Sequence, residues 1–418
     1  MQNILMIGGG VSGQAVADLA AALNISCRIV NDAQNGSDDF GKLFGGVDQV
    51  VVSPGVLPTS KLYNEAVRRG ISVISELELG IRFFPGKLVA VTGTNGKTTT
   101  VELTEFLLNK LGERAIAAGN IGLPLSQVSA QILRGDLPDA EKLTAVLEVS
   151  SFQLEHTYKL PALAAVLLNV ESDHINRYPG GMQEYRQVKE RIFNDVPQEN
   201  RFYGMSMTGK TTCGKFSLQN DQLFYDGKVL LDLHQTALSA PHNQENLLAA
   251  LSLCSRVIEV ETQLAALAAA LQKFKTGDHR ISTVAEIDGV KYIDDSKATN
   301  PAAVIAAVKS LEKSPRGNIV LIAGGLDKDM DFTPLADLSA YLKKVIVYGR
   351  CGSDIAAVFN GKVAVFDAQS DFALAVSEAR RSAVANDIVL LSPAAASMDM
   401  FKDYKERGNK FAELVRGV

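Results

Sequence analysis

The chain of 418 residues carries 42 lysines and arginines against 47 aspartates and glutamates, a formal net charge of −5, and 46% hydrophobic residues, which suffices for two or three cores at roughly 150 residues each. The acidic balance leaves no basic footprint and excludes nucleic acid as a partner, and no apolar run approaches the roughly 18 residues that span a bilayer. Cys27, Cys213, Cys254 and Cys351 are far apart and form no Cys-x-x-Cys pair, which argues against zinc and against a disulfide framework; they read as the reduced thiols of a cytoplasmic protein whose first residues, Met1 to Met6, lack the charged start of a leader.

Ile4 to Ile7 read as a short strand running into Gly8-Gly9-Gly10-Val11-Ser12-Gly13 and then a helix through Val16, Leu19, Ala20 and Leu23. This is a G-x-G-x-x-G turn in its proper context, and Asp32, which ends the next strand from Cys27 to Val30, stands where a dinucleotide fold places the acid for a ribose. Alone, that pattern predicts NAD. The following strand, Gln49 to Val52, leads into Ser53-Pro54-Gly55-Val56, and the unit closes near Pro85-Gly86, about half a dinucleotide fold. One end of a nucleotide fits it better than a whole dinucleotide; a glycine turn used only for strand–helix packing, and a dehydrogenase, stay open here.

The chain is organised around Val89-Ala90-Val91-Thr92-Gly93-Thr94-Asn95-Gly96-Lys97-Thr98-Thr99-Thr100. An apolar strand delivers the backbone into a glycine turn that opens onto a helix marked by Val101, Phe106, Leu107, Leu108 and Leu111. Gly93 and Gly96 let loop N–H groups, those of Thr94, Asn95 and Thr99 among them, converge on phosphate oxygens; Lys97 supplies a point charge and Thr98 a hydroxyl for Mg²⁺. Val91 stands where strict Walker spacing asks for glycine, so the motif is a variant.

Further parallel strands are predicted at Ala115 to Ala118, Leu143 to Val149 and Ala164 to Val170, with helices over Met182 to Phe193, Asn243 to Val257 and Thr262 to Leu271. The polar, alternating stretch from Arg201 to Leu233, with Asp226-Gly227 as a hairpin turn, reads as a small antiparallel excursion. The pattern breaks at Phe274 to Asp278. Beyond it come a hairpin, Ser282 to Ile287 and Val290 to Ile293 about Asp288-Gly289, and strands at Ile319 to Ala323, Val345 to Tyr348, Val363 to Phe366 and Ile388 to Leu391 alternating with helices. The predicted fold is α/β in three domains, 1–86, 87–277 and 278–418: a Rossmann-like domain, a central P-loop ATPase-type domain with a mostly parallel sheet, and a second Rossmann-like domain.

Polar clusters fall at the carboxyl ends of these strands, where open α/β sheets bind ligands. Glu148 ends one central strand, and Asn169-Val170-Glu171-Ser172-Asp173-His174 ends the next. Both ends belong beside the phosphate loop, so Glu148 and His174 are natural companions of Thr98 around Mg²⁺. Lys189, on the helix with Tyr185, Val188 and Ile192, reads as a solvated helix face, and Asn243 as a helix N-cap. Asp294-Asp295-Ser296-Lys297-Ala298-Thr299-Asn300 and Ser392 to Asp399 follow strands of the last domain, and both face a cleft on this reading.

In this order the clusters resemble the Mur ligase family, the ATP-dependent amide ligases of peptidoglycan precursor synthesis, whose relatives include folylpolyglutamate synthetase. The match runs through Thr92 to Thr99, Gly119 to Pro124, Glu148 to Glu155, Asp173-His174 with Arg177-Tyr178-Pro179, Asp295 to Asn300, and Ser397 to Tyr404 with Arg407-Gly408-Asn409. It covers essentially the whole chain and is most specific to the branch that adds D-glutamate. The resemblance implies ATP bound by the central domain and the uridine end of UDP-N-acetylmuramoyl-L-alanine bound by the first, at Val11, Ser12 and Gly55. Asn31 stands there where the family carries an acid, with Asp32 one place later. Asn120 and His174 would meet the substrate further in.

It also implies two Mg²⁺ ions, one on Thr98 and Glu148, the other on His174 and a Lys189 carbamylated by CO2. That modification inverts the bland reading of this lysine. Asn243, Asn246, Arg280 and Asp295 match positions around the nucleotide, and Lys297, Thr299, Lys328, Ser397, Met398 and Tyr404 the D-glutamate pocket, with Tyr404 where phenylalanine is common. The implied reaction passes through an acyl phosphate, with Lys97, His174 and Lys189 as its catalytic residues, in a monomer. A degenerate relative that holds nucleotide without turnover, or a ligase that takes a different amino acid or a folate substrate, stays open.

Overall fold

The computed structural model describes residues 1–35, 39–173, 177–312, 314–327 and 330–417. It divides into two compact units, one of residues 1–170 with 179–275, the other of residues 171–178 with 276–418.

The first unit holds three sheets. Strands β1 (Asn3–Ile7), β2 (Ser26–Val30), β3 (Gln49–Val52) and β4 (Val73–Ser75) form a parallel sheet in the order β2-β1-β3-β4. Helices α1 (Val11–Ala22), α2 (Asp32–Asn35), α3 (Phe40–Phe44), α4 (Lys61–Arg68) and α5 (Glu76–Ile81) connect and follow them. Successive β1 side chains serve opposite faces: Leu5 and Ile7 pack with Leu62 and Ala66, Ile4 and Met6 with Val16 and Leu19. That two-sided burial explains why the strand is an unbroken apolar run. The three-residue β4 was absent from the sequence reading, being too short to show a period.

The second sheet is β5 (Lys87–Thr92), β6 (Arg114–Gly119), β7 (Leu143–Glu148), β8 (Ala164–Leu167) and β9 (Arg201–Tyr203), all parallel, in the order β6-β7-β5-β8-β9. The accompanying helices are α6 (Lys97–Lys110), α7 (Leu125–Leu133), α8 (Ser151–Leu154), α9 (Gly181–Glu190), α10 (Met205–Thr208), α11 (Pro241–Val257) and α12 (Leu264–Lys273). Arg201 to Tyr203, expected to open the antiparallel excursion, instead pairs with β8 at the edge of the parallel sheet.

The excursion itself is β10 (Thr212–Cys213), β11 (Phe216–Gln219), β12 (Gln222–Tyr225) and β13 (Lys228–Asp232). Asp226 and Gly227 both take positive φ, 50° and 75°, the primed turn that matches strand twist. Phe216, Leu218, Leu223 and Leu231 share a core with Leu247 and Leu251 of α11.

The second unit carries β14 (Ser282–Ile287), β15 (Val290–Asp294), β16 (Ile319–Gly324), β17 (Leu342–Tyr348), β18 (Ala364–Asp367) and β19 (Ile388–Leu391), in the order β14-β15-β19-β16-β17-β18, parallel except for β14. Helices α13 (Pro301–Leu311), α14 (Gly352–Phe359), α15 (Phe372–Ser382) and α16 (Tyr404–Arg416) complete it. Apolar clusters line both sheet faces, one through Leu321, Val345 and Leu390, the other through Ile322, Ile346 and Leu391. Among the described residues no helix is long and apolar enough to cross a membrane.

Candidate active site

The phosphate loop leaves β5, the middle strand of its sheet. Gly96 takes φ +83°, and a Cβ there would collide with Asn246 Oδ1, so both conformation and space demand glycine. Helix α6 starts at Lys97 with no side chain capping it, which leaves its first N–H groups directed out of the loop. Lys97 Nζ curls over the turn and donates to the carbonyls of Gly93 and Thr94, each at 2.8 Å. Thr98 is half-buried one residue on, and Thr99 is buried.

Asn169 braces the loop from just beyond β8. Thr94 N donates to Asn169 O at 3.0 Å and Asn95 N to Asn169 Oδ1 at 2.8 Å. The sequence places this residue at the head of the polar cluster that ends the strand but gives it no role; an asparagine at the carboxyl end of a strand next to a phosphate loop is the signal for one.

On the other side of β5, Glu148 pairs in register with Val91. Its Oε1 accepts a 2.7 Å hydrogen bond from Asn120 Nδ2, and Asn120 N donates to Glu148 O at 2.9 Å. Glu148 Oε2 is buried and has no hydrogen-bond partner among the described residues. Leaving a carboxylate oxygen dry and unmatched is costly, and a cation from outside the chain is the partner that fits it. Thr98 Oγ and Glu148 are hard oxygen donors of the kind Mg²⁺ prefers, and phosphate oxygens and water complete such a shell. Among the described residues no group of three or more His, Cys, Asp or Glu side chains could hold a metal by itself. His174 lies outside the described residues.

Lys189 is not solvated. It is 1% exposed, its Nζ donates to Gly93 O at 2.8 Å and lies 4.6 Å from the centroid of the Tyr185 ring, and Tyr185 OH is 3.3 Å from Thr94 Oγ1. Tyr185, Val188 and Lys189 form one inward stripe of α9 at i, i+3, i+4; the lysine's charge masked that stripe in the sequence.

Asn243 is not the N-cap of α11. The helix begins at Pro241 with Ala240 before it, because proline at the first position needs no N–H partner. Asn243 and Asn246 sit one turn inside, joined by a 3.2 Å bond from Asn246 Nδ2 to Asn243 Oδ1, while Asn246 Oδ1 accepts from Thr100 Oγ1 at 3.2 Å. Asn246 therefore lies against Gly96 and the first turn of α6, with Asn243 bonded behind it.

In the same unit, a cleft of about 250 Å³ at the carboxyl ends of β1 and β2 is lined by Gly8, Asn31, Asp32, Gly55 and Val56, among others. Asp32 Oδ1 accepts from Leu62 N at 3.0 Å, so this carboxylate also holds the start of α4. Val11, largely exposed, and Ser12 open α1 nearby and are not in that lining.

In the second unit, Asp295 is buried at the end of β15, accepting from Ser392 Oγ at 2.8 Å and Ile281 N at 3.3 Å. Burial pushes its carboxyl up to about 7, against the pull of those bonds and of Arg280. Lys297 Nζ lies 4.0 Å over the Tyr404 ring. Ser397 is buried, Thr299 half-buried and Met398 exposed; Lys328 lies outside the described residues. His279, unremarked in the sequence reading, takes φ +63° and shares a 2.6 Å hydrogen bond with Asp294 Oδ2.

Two family descriptions match the chain: "Mur ligase middle domain" over residues 91–207 and "Mur ligase, glutamate ligase domain" over residues 279–395. A relative from Rubrobacter xylanophilus is 37% identical over 455 aligned positions, covering 100% of this chain and 99% of the relative, and one from Syntrophus aciditrophicus is 35% identical over 99% of this chain and 98% of the relative. Both are named UDP-N-acetylmuramoylalanine–D-glutamate ligase.

The chain belongs to the Mur ligase family.

Solved structures agree at the level of fold. The UDP-N-acetylmuramate–alanine ligase of Thermotoga maritima matches this Mur ligase with a TM-score of 0.62 at 17% identity over the whole of both chains. The folylpolyglutamate synthase of Mycobacterium tuberculosis matches with 0.58 at 14% identity over 80% of this chain and 92% of that one. The Mur ligase middle-domain match, over residues 91–207, includes the whole variant loop from Thr92 to Thr99.

Proposed function

We propose that this Mur ligase joins D-glutamate to UDP-N-acetylmuramoyl-L-alanine with consumption of ATP, in the cytoplasm. The observation that carries the chemistry is the unpartnered Oε2 of Glu148 one strand from the phosphate loop; the substrates follow from the names of relatives 35–37% identical over nearly full length. Residues 1–86 would hold the uridine end at Val11, Ser12, Asn31 and Gly55, residues 87–277 the ATP, and residues 278–418 the amino acid.

The loop N–H groups of Gly93 to Thr99 and the Lys97 ammonium hold the β- and γ-phosphates, which requires Lys97 to leave the Gly93 and Thr94 carbonyls. Asn243, Asn246, Arg280 and Asp295 would hold the rest of the nucleotide. Thr98 and Glu148, with His174 and a carbamylated Lys189, are the residues that would hold two Mg²⁺ ions, whose contribution is neutralisation of phosphate and carboxylate charge. The alanine carboxylate attacks the γ-phosphorus, forming an acyl phosphate and ADP. The D-glutamate amine, placed by Lys297, Thr299, Lys328, Ser397, Met398 and Tyr404, attacks the acyl carbon. A C–N bond forms, the amine proton goes to His174 or water, and collapse expels phosphate. The protein's share is positioning and charge compensation.

The test is phosphate release from ATP and Mg²⁺ with UDP-N-acetylmuramoyl-L-alanine in the presence of D-glutamate, L-glutamate, L-lysine or no amine. Release that depends on D-glutamate is expected. ATP binding without release under any combination overturns the reading, and release with another amine keeps the ligase but moves its specificity.

A further inference from the structure

Arg407 is the largest fully buried side chain among the described residues. It stands in the first turn of α16. Its Nε donates to Ser296 Oγ at 2.9 Å, Nη2 to Ser296 O at 2.7 Å, and Nη1 to Ala395 O at 3.1 Å and to the Tyr348 hydroxyl at 3.5 Å. Among the described residues no carboxylate pairs with it; burial pushes the Tyr348 hydroxyl up to about 12, so that partner is neutral too. A dry guanidinium among neutral acceptors is an expensive arrangement, and apolar packing would be the cheaper way to fill the space.

The geometry shows what the fork does there. Ser296 belongs to the segment after β15, Ala395 to the segment after β19, and Arg407 to α16. Ser296 Oγ accepts from Arg407 and donates to Tyr404 O at 2.8 Å, which closes the segment after β15 and α16 into a hydrogen-bonded ring, and the Nη1 bond to Ala395 O ties the third segment to it. Lys297, Thr299, Ser397, Met398 and Tyr404 each lie within three residues of Ser296, Ala395 or Arg407.

We propose that Arg407 is a positioning residue for the amino-acid substrate: its guanidinium, with Ser296 as relay, sets the spacing of the three segments that carry the acceptor-binding side chains. This rests on the acceptor assignment proposed above.

The experiment is steady-state kinetics of the full chain for the wild type, Arg407→Met, Arg407→Lys and Ser296→Ala, with KM determined separately for ATP, the UDP-linked substrate and D-glutamate. Arg407→Met is expected to raise the D-glutamate KM about tenfold or more while the ATP KM stays within about twofold. Arg407→Lys keeps the charge but not the fork and restores only part of the loss. An unchanged D-glutamate KM, or an equal rise for ATP, overturns the proposal. Where Arg407→Met does not fold, Ser296→Ala decides by the same KM comparison. A wild type that releases phosphate with a different amine removes the proposed acceptor instead, and the KM of that amine then becomes the quantity compared.

Discussion

The Lys189 ammonium and the carbonyl oxygen of Gly93 are 2.8 Å apart, so α9 is hydrogen-bonded to the turn that begins the phosphate loop. A lysine in this place can order the loop as an ammonium or, as a carbamate, present oxygens to a cation. Lys189→Ala removes both and should lower turnover about 100-fold or more. Partial recovery with millimolar formate or acetate would support the carbamate, because a small anion can replace its oxygens; full activity without rescue would remove it from the mechanism.

Lys97→Ala should abolish measurable turnover while the protein remains folded. Its ammonium bonds to Gly93 and Thr94 are local to the loop, so the thermal midpoint should move little. A melting curve beside the phosphate-release assay separates the two effects, and retained turnover would contradict the phosphate-binding role.

Glu148→Gln keeps the shape of the side chain and the acceptor for Asn120 but removes the charge. The Mg²⁺ concentration needed for half-maximal rate should rise about tenfold or more. A Mg²⁺ titration of both proteins at saturating ATP checks this. An unchanged requirement would mean that the unpartnered Oε2 serves something other than a cation.

Glu76 is fully buried between α5 and α7, its Oε1 accepting from Ser126 N at 2.8 Å, and burial raises its carboxyl from 4.5 to about 7. The folded state therefore binds the proton more tightly than the unfolded chain. The contribution of this group to stability is complete below about pH 4.5 and is lost as pH rises through about 7. Relative to Glu76→Gln, the wild type should lose about 2 kcal/mol between pH 5 and pH 8. Urea unfolding at the two pH values measures it, and parallel pH profiles would place the proton elsewhere.

Gly408 lies where a Cβ would overlap both His279 Nδ1 and Asp294 Oδ2. Gly408→Ala should break that hydrogen bond and destabilise the protein by roughly 1–3 kcal/mol. Arg280 follows His279, so the ATP KM should rise as well. Denaturant unfolding and ATP kinetics on the one variant test both.

The sequence was most informative where one physical requirement dominates. Unbroken apolar runs marked parallel strands such as β5, β7 and β16, and Asp-Gly pairs marked the two primed turns, because only a few residues tolerate those conformations. Glu148 was visible as an acid closing an apolar run. His279 carried no such pattern, and Asn169 and Arg407 stood out only as members of a polar cluster and of a family motif, with no role attached; each acts through a partner distant in sequence, and partners of that kind emerge only on folding. Lys189 misled for a related reason, since a charged residue on an amphipathic helix ordinarily faces water and nothing nearby in sequence revealed Gly93 as its acceptor. The start of α11 was misplaced because Asn243 resembles a cap, while Pro241 begins the helix two residues earlier.

The pairing of β7 with β5 has a consequence for variation in this protein. Strand side chains alternate between faces, so a slip of one residue would carry the Glu148 carboxyl through the sheet and put Leu147 in its place. The fit of Ala145, Val146 and Leu147, all buried, against the neighbouring strands resists that slip, together with the Asn120 bonds to Glu148 and the 2.7 Å bond from Thr92 Oγ1 to Val149 O. Substitutions in this hydrocarbon, remote from any reacting atom, can thus silence the enzyme by misaddressing one charge while leaving every polar residue of the site in the chain.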